Sequence, residues 1–149
     1  MTSPATAAAD AAPPPADAAA TPGVWLIAAV AVGGAAGAVC RYLVSRAAAE
    51  RFPTHPWLGT LAVNLAGCFL IGLAMYAAAD RGRLSPAMRG LIVTGFLGGL
   101  TTFSSFGQEA VALVRGERLP VALLQVGANV LGGLALVWAG RRVGTILLG

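Results

Sequence analysis

The sequence predicts an all-α membrane protein with four transmembrane helices, and three observations lead there. The chain has 149 residues, 57% of them hydrophobic and 11% charged, whereas a water-soluble domain ordinarily carries about a quarter charged residues. After residue 22, four apolar runs recur, each close to the roughly 20 residues that a bilayer core asks of a helix. Trp25, Trp57 and Trp138 fall near the ends of these runs, at the headgroup level that indoles favour. A soluble helical bundle would need a polar face on its helices, and these runs offer none.

Residues 1–22, an Ala/Pro-rich low-complexity stretch, have no core to bury and are expected to be disordered. They lack the basic start and apolar run of a secretory signal. The membrane domain is therefore 23–149. Its first span is expected over about Val24 to Ser45, where Gly33 and Gly37 stand at i,i+4 as a small-residue face for another helix. The second is expected over about Trp57 to Ala79, the third over Ala87 to Val114 and the fourth over Leu119 to Gly140, with short loops between. Cys40 and Cys68 both fall inside spans, and with one histidine and no CxxC there is no basis for a metal-thiolate or disulfide framework.

The net charge of +4 comes from arginine alone. The arginines punctuate the ends of apolar runs and do not form a basic face, so a nucleic-acid partner is not expected. With four spans, Arg81, Arg83, Arg89, Arg141 and Arg142 share one side of the membrane. Arg46, Arg51, Arg115 and Arg118 share the other, with Arg41 nearby. So even a balance gives the positive-inside rule nothing to choose by. Either a single arginine or an assembly factor sets the orientation, or the chain inserts both ways and pairs antiparallel.

Polar side chains inside a bilayer are functional candidates, because hydrocarbon offers them no partner. Thr60 and Asn64 are i,i+4 on the second span, and Gln125 and Asn129 are i,i+4 on the fourth. The third span adds Thr101, Thr102, Ser104 and Ser105. Two aligned polar ladders and a hydroxyl cluster fit the lining of a wet path better than scattered interhelical glue. Gly95, Gly98 and Gly99 each lower helix propensity by about 1 kcal/mol relative to alanine. With the two threonines they predict a third helix broken at mid-membrane, which is tolerated only against protein or a cavity and is a common way to build an ion site. Phe103 and Phe106 follow at i,i+3; they either pack or present their partially positive ring edges to a small anion. Carboxylates are nearly absent from the spans, Glu109 excepted, so the path is expected to favour anions over cations. Arg41 either places positive charge at a vestibule or snorkels to the interface.

Three segments then resemble the bacterial fluoride ion channel family (Fluc, also called CrcB): "GGAAGAVCRY" (33–42), "GTLAVNLAGCFLIG" (59–72) and "GFLGGLTTFSSFGQE" (95–109). With the fourth span the likeness covers about residues 24–140. The resemblance implies a passive fluoride channel of the bacterial inner membrane, not an enzyme, built as an antiparallel dual-topology homodimer with two pores. It implies a structural sodium ion at the dimer centre, held by the backbone carbonyls of Gly98 and Thr101. It implies pores lined by Phe103 and Phe106, by Asn64 with Thr60 one turn away, and by Ser104 and Ser105. Glu109 matches an acidic position near one pore end, and Arg41 a vestibule arginine. Gln125 and Asn129 stand where the family often has Tyr and Ser, so the polar track there departs from the family pattern while keeping hydrogen-bond donors. The competing readings are a small four-span multidrug exporter, which needs an embedded carboxylate for proton exchange, and a non-transporting assembly subunit.

Overall fold

The computed structural model describes residues 23–77 and 84–148, all helix and short connection. The expected tail at 1–22, and Arg81 and Arg83 of the charge balance, lie outside the described residues. Helix α1 is Val24–Arg51 and α2 is Leu58–Met75. The third span, Pro86–Arg115, is two helices, α3 (residues 86–100) and α4 (Phe103–Arg115). Helix α5 follows over Leu119–Leu148. Four helical stretches are therefore long and apolar enough to cross a bilayer, as the four apolar runs predict, and the third is interrupted.

Two ends overrun the expected spans. Helix α1 continues past Ser45 for more than a turn, and α5 continues past Gly140 to Leu148. An apolar run marks where the membrane ends, not where backbone hydrogen bonding ends. Beyond Ser45 the residues are good helix formers, "RAAAER", and Arg46 pairs with Glu50 at 2.8 Å on the exposed surface, worth only a few tenths of a kcal/mol. The start of α3 has local causes as well. Ser85 accepts from the Met88 amide, and Pro86 occupies the first turn, where its missing N–H costs nothing.

Helix α3 packs along α1 with backbone against backbone. A methyl group on Gly33 or Gly37 would strike the carbonyls of Leu91 and Phe96. One on Gly95 would stand 2.7 Å from the Val30 carbonyl oxygen. Glycine is required by this close approach, and α3 answers with wide, π-helical turns over Gly90–Leu97. Helix α2 crosses α5 in the same way, with Gly72 against Val137 and Gly140 against Phe69. Leu97 and Leu100 of α3 bury against Val63 of α2, while Leu113 of α4 packs with Trp57 and Ala122 at the opposite end. The two halves of the third span therefore have different neighbours.

The interruption itself departs from its expected cause. Gly95, Gly98 and Gly99 all remain helical. The chain leaves the helix at Thr101 (φ −85°, ψ 151°) and Thr102 (φ −149°, ψ 121°), both extended. Gly95 and Gly99 serve contact with α1, while Gly98 faces the groove along the break; the β-branched threonines, which fit extended backbone well, make the break. At 1.5 Å per residue, α3 is about 22 Å long and α4 about 20 Å, so the break falls near the middle of the span.

Candidate functional site

The break would strand several backbone groups, and the sequence supplies a partner for each of the main ones. Asn64 on α2 holds both backbone polar groups of Thr102. The Thr102 amide donates to Asn64 Oδ1 at 2.9 Å, and Asn64 Nδ2 donates to the Thr102 carbonyl at 3.2 Å. The same Nδ2 donates to Asn129 Oδ1 at 3.0 Å. Thr102 in turn caps α4, its Oγ1 accepting from the Ser105 amide at 3.3 Å and lying 3.2 Å from the hydroxyls of Ser104 and Ser105. Thr101 turns back, its Oγ1 donating to the Leu97 carbonyl at 3.0 Å. This clamp is why a non-helical peptide persists where every polar group must find a protein partner.

The carbonyls of Gly98 and Thr101 are among those that lose their helical donors at the break. In a continuous helix the Thr102 amide would donate to Gly98 and the Ser105 amide to Thr101; here those amides go to Asn64 and to the Thr102 hydroxyl. The neighbouring carbonyl, Gly99, accepts from Arg41 Nε at 3.0 Å. Arg41 is thus tied to the α1 side of the break.

Above the clamp, α2, α4 and α5 join in a second chain of hydrogen bonds. Thr60 donates to Glu109 Oε1 at 2.6 Å and Gln125 Nε2 donates to Glu109 Oε2 at 3.0 Å. Asn129 Nδ2 donates to the Gln125 carbonyl at 3.1 Å. Gln125 is 0% exposed, and its Oε1 meets no donor among the described residues. The two i,i+4 ladders anticipated on α2 and α5 therefore face each other, with Glu109 joining them from α4. Thr60, Asn64, Glu109, Gln125 and Asn129 form one network with the break at its foot.

The phenylalanines differ from one another. Phe106 is 7% exposed and packs inward, whereas Phe103 is 81% exposed. Their ring centroids are 5.4 Å apart with planes at 62°, an edge-to-face pair of the kind the aromatic quadrupole favours. Both border a groove of about 350 Å³ that runs along the break, with Asn64, Thr102 and Asn129 as its polar wall. Asn64, expected as a pore-lining residue, has its Nδ2 bonded to Thr102 and Asn129 and so braces the break.

Sequence reasoning missed Gly67 and Cys68, which line the same groove. A methyl group on Gly67 would collide with Thr101 Cγ2, so Gly67 makes room for the extended threonine. The signal was present, since Gly67 lies one turn from Asn64 on the same face. Trp57, read as a headgroup anchor, is instead buried beside Leu113 and Ala122.

Comparison with known proteins gives the following. The profile of a family described as "CrcB-like protein, Camphor Resistance (CrcB)" matches residues 28–141. A protein of Stutzerimonas stutzeri named "Fluoride-specific ion channel FluC" is 45% identical over 112 residues, 75% of this chain and 90% of its own. One of the same name from Pseudomonas putida is 47% identical over 118 residues, 78% of this chain and 94% of its own. Another, from Maridesulfovibrio salexigens, is 38% identical over 119 residues, 80% and 94% respectively.

Proposed function

The chain belongs to the CrcB-like family, and on that premise we propose that this multi-pass membrane protein is a passive, fluoride-selective ion channel and not an enzyme. The observation that carries the reading is the edge-to-face pair Phe103–Phe106, set beside a braced helix break and next to the hydroxyls of Ser104 and Ser105. Fluoride is small and strongly hydrated, so a path for it must replace water with donors and positive edges. Ser104 and Ser105 supply hydroxyls, the two rings supply edges, and Asn64 fixes the backbone from which they project. Glu109, the single carboxylate of the network, has one donor on each oxygen, which offsets its charge along an anion path. The names borne by relatives of similar length support the same substrate.

Hydrogen fluoride, a weak acid, crosses bilayers uncharged and ionises in a near-neutral cytoplasm. The anion so trapped leaves down its gradient, assisted by a negative-inside potential worth about 2.3 kcal/mol per charge per 100 mV. The exporter reading is less well supported, because both oxygens of Glu109 are already hydrogen-bonded within the protein.

The working unit in this reading is an antiparallel homodimer of the inner membrane. Phe103, Ser104 and the Thr102 region are open on one side of a single copy, and polar groups at that depth would otherwise face hydrocarbon. A second, inverted copy would cover them, and the even arginine balance is consistent with insertion both ways. The carbonyls of Gly98 and Thr101, deprived of helical donors, fit a hard monovalent cation such as sodium. Bound there, it would supply a fixed positive charge at the centre of the assembly.

The test is fluoride efflux from liposomes containing only this protein, with a potassium gradient and ionophore to carry the counter-charge. Fluoride should leave rapidly and chloride should be retained. Absence of fluoride flux, or equal chloride flux, would overturn the proposal.

A further inference from the structure

The end of the polar network away from the break carries a buried donor with nothing to receive it. Trp57 is 6% exposed, and its indole Nε1–H is buried with no acceptor among the described residues. A buried indole N–H ordinarily finds a partner, and leaving it without one costs free energy on the scale of a lost hydrogen bond. Phenylalanine would fill the same space beside Leu113 and Ala122 without that cost, so packing alone does not account for a tryptophan. The His55 ring stands edge-on, 6.1 Å away between centroids, and flanks the indole without receiving its N–H.

Trp57 continues the ladder of α2. It precedes Thr60 by three residues, as Thr60 precedes Asn64 by four, which is the spacing of one helix face. Its carbonyl accepts from the Leu61 amide at 3.0 Å, so it has already joined the first turn. Leu113 is four residues beyond Glu109 on α4, and Ala122 is three before Gln125 on α5. The three residues packed at this end therefore each lie one turn from a member of the Thr60–Glu109–Gln125 cluster, on the side away from the break. A cavity of about 200 Å³ lies there, lined by Pro56, Trp57, Glu109, Ala112, Leu113 and Arg118. It borders both the tryptophan and the last acidic member of the network. Arg118 is held beside it, its Nη1 donating to the Thr54 carbonyl at 3.1 Å.

We propose that Trp57 Nε1–H donates to fluoride at the outer end of the path, in the cavity shared with Arg118. The site rests on the channel reading and deepens it. Indole and guanidinium offer donors and no acceptor, which suits an anion. Both oxygens of Glu109 already receive hydrogen bonds, from Thr60 and Gln125, and the charge that remains keeps anion affinity low enough for release, as conduction requires. A small, charge-dense anion gains more from one enclosed N–H than a large one does, because the attraction grows as the separation falls. An anion that stops here exchanges part of its water for these donors before it reaches Thr60 and the ladder beyond.

The test follows the indole N–H resonances of nitrogen-labelled full-length protein in detergent micelles during titration with sodium fluoride or sodium chloride. Trp57→Phe identifies the Trp57 resonance; where that variant does not fold, Trp25→Phe and Trp138→Phe identify it by elimination. Fluoride should move this resonance downfield and saturate, chloride should leave it in place, and the Trp25 and Trp138 resonances should move with neither. Arg118→Gln should weaken the fluoride affinity so measured by about threefold. In liposomes, Trp57→Phe should raise the half-saturating fluoride concentration for efflux by about tenfold, the worth of one hydrogen bond to a charged partner, whereas a ring that only packs would leave it unchanged. A Trp57 resonance that ignores fluoride or moves equally with chloride, parental affinity in Arg118→Gln, or unchanged half-saturation in folded Trp57→Phe would each overturn the site. Efflux by the parent protein judges the channel reading separately. Flux without an indole shift overturns this site alone; an indole shift without flux upholds the site and overturns the channel.

Discussion

Replacing Asn64 by alanine tests the brace on which the broken span depends. The substitution removes three hydrogen bonds, two to the Thr102 backbone and one to Asn129. Interhelical side-chain bonds in membranes average only about 0.6 kcal/mol, which sets a floor of about 2 kcal/mol. The two Thr102 groups, however, are backbone groups left without a partner, and a stranded buried group costs about 1–3 kcal/mol. The expected loss is therefore about 3–4 kcal/mol. Unfolding in mixed micelles of increasing dodecyl sulfate, followed by circular dichroism, measures it. Asn129→Ala removes one of the three bonds, and with it Asn129's own bond to the Gln125 carbonyl, but leaves Thr102 braced, so its loss should stay at about 1–2 kcal/mol. Fluoride efflux should fall at least about tenfold in Asn64→Ala, since about 1.4 kcal/mol of lost geometry already suffices for that. A variant that unfolds within about 0.5 kcal/mol of the parent, well below the bonds removed, and transports at its rate would refute the clamp.

Phe106→Ile should slow fluoride efflux strongly while leaving the oligomeric state by size-exclusion chromatography unchanged, since it removes the buried ring edge and keeps the apolar volume. Gly37→Ala, whose methyl group would strike the Phe96 carbonyl, should cost about 1–3 kcal/mol as an overpacked contact, read in the same micelle titration. Thr102→Val keeps the shape but loses the cap of α4, for about 1 kcal/mol, while Thr102→Ser should restore it. Equal stability of the two threonine variants would mean that the hydroxyl is not the cap.

Much of this architecture was legible from local pattern. The four spans follow from run length, and the facing ladders follow from i,i+4 spacing, because both depend on a helix being regular. What was misplaced depends on contacts between distant segments. Gly95 and Gly99 look like helix breakers until α1 is seen against them; their missing side chains admit a neighbouring backbone. Asn64 reads as a pore-lining residue, and spacing along α2 gave no hint that its amide also binds the Thr102 backbone, 38 residues away in sequence. Arg41 reads as a vestibule charge or a snorkelling side chain, and its bond to the Gly99 carbonyl, 58 residues away, is a contact that no local pattern announces. Trp57 sits where an anchor belongs, yet the start of α2 turns it inward.

The third span belongs to two different partnerships: its first half is locked by glycine contacts to α1, and its second half leans on α5 and the foot of α2. The two extended threonines are thus a seam between an anchoring unit and a conducting unit. Variation in this protein should accordingly fall into two sets, joined at Thr101 and Thr102 and through α2, where Val63 meets Leu97 and Leu100; a single residue inserted at the threonines would rotate one unit against the other.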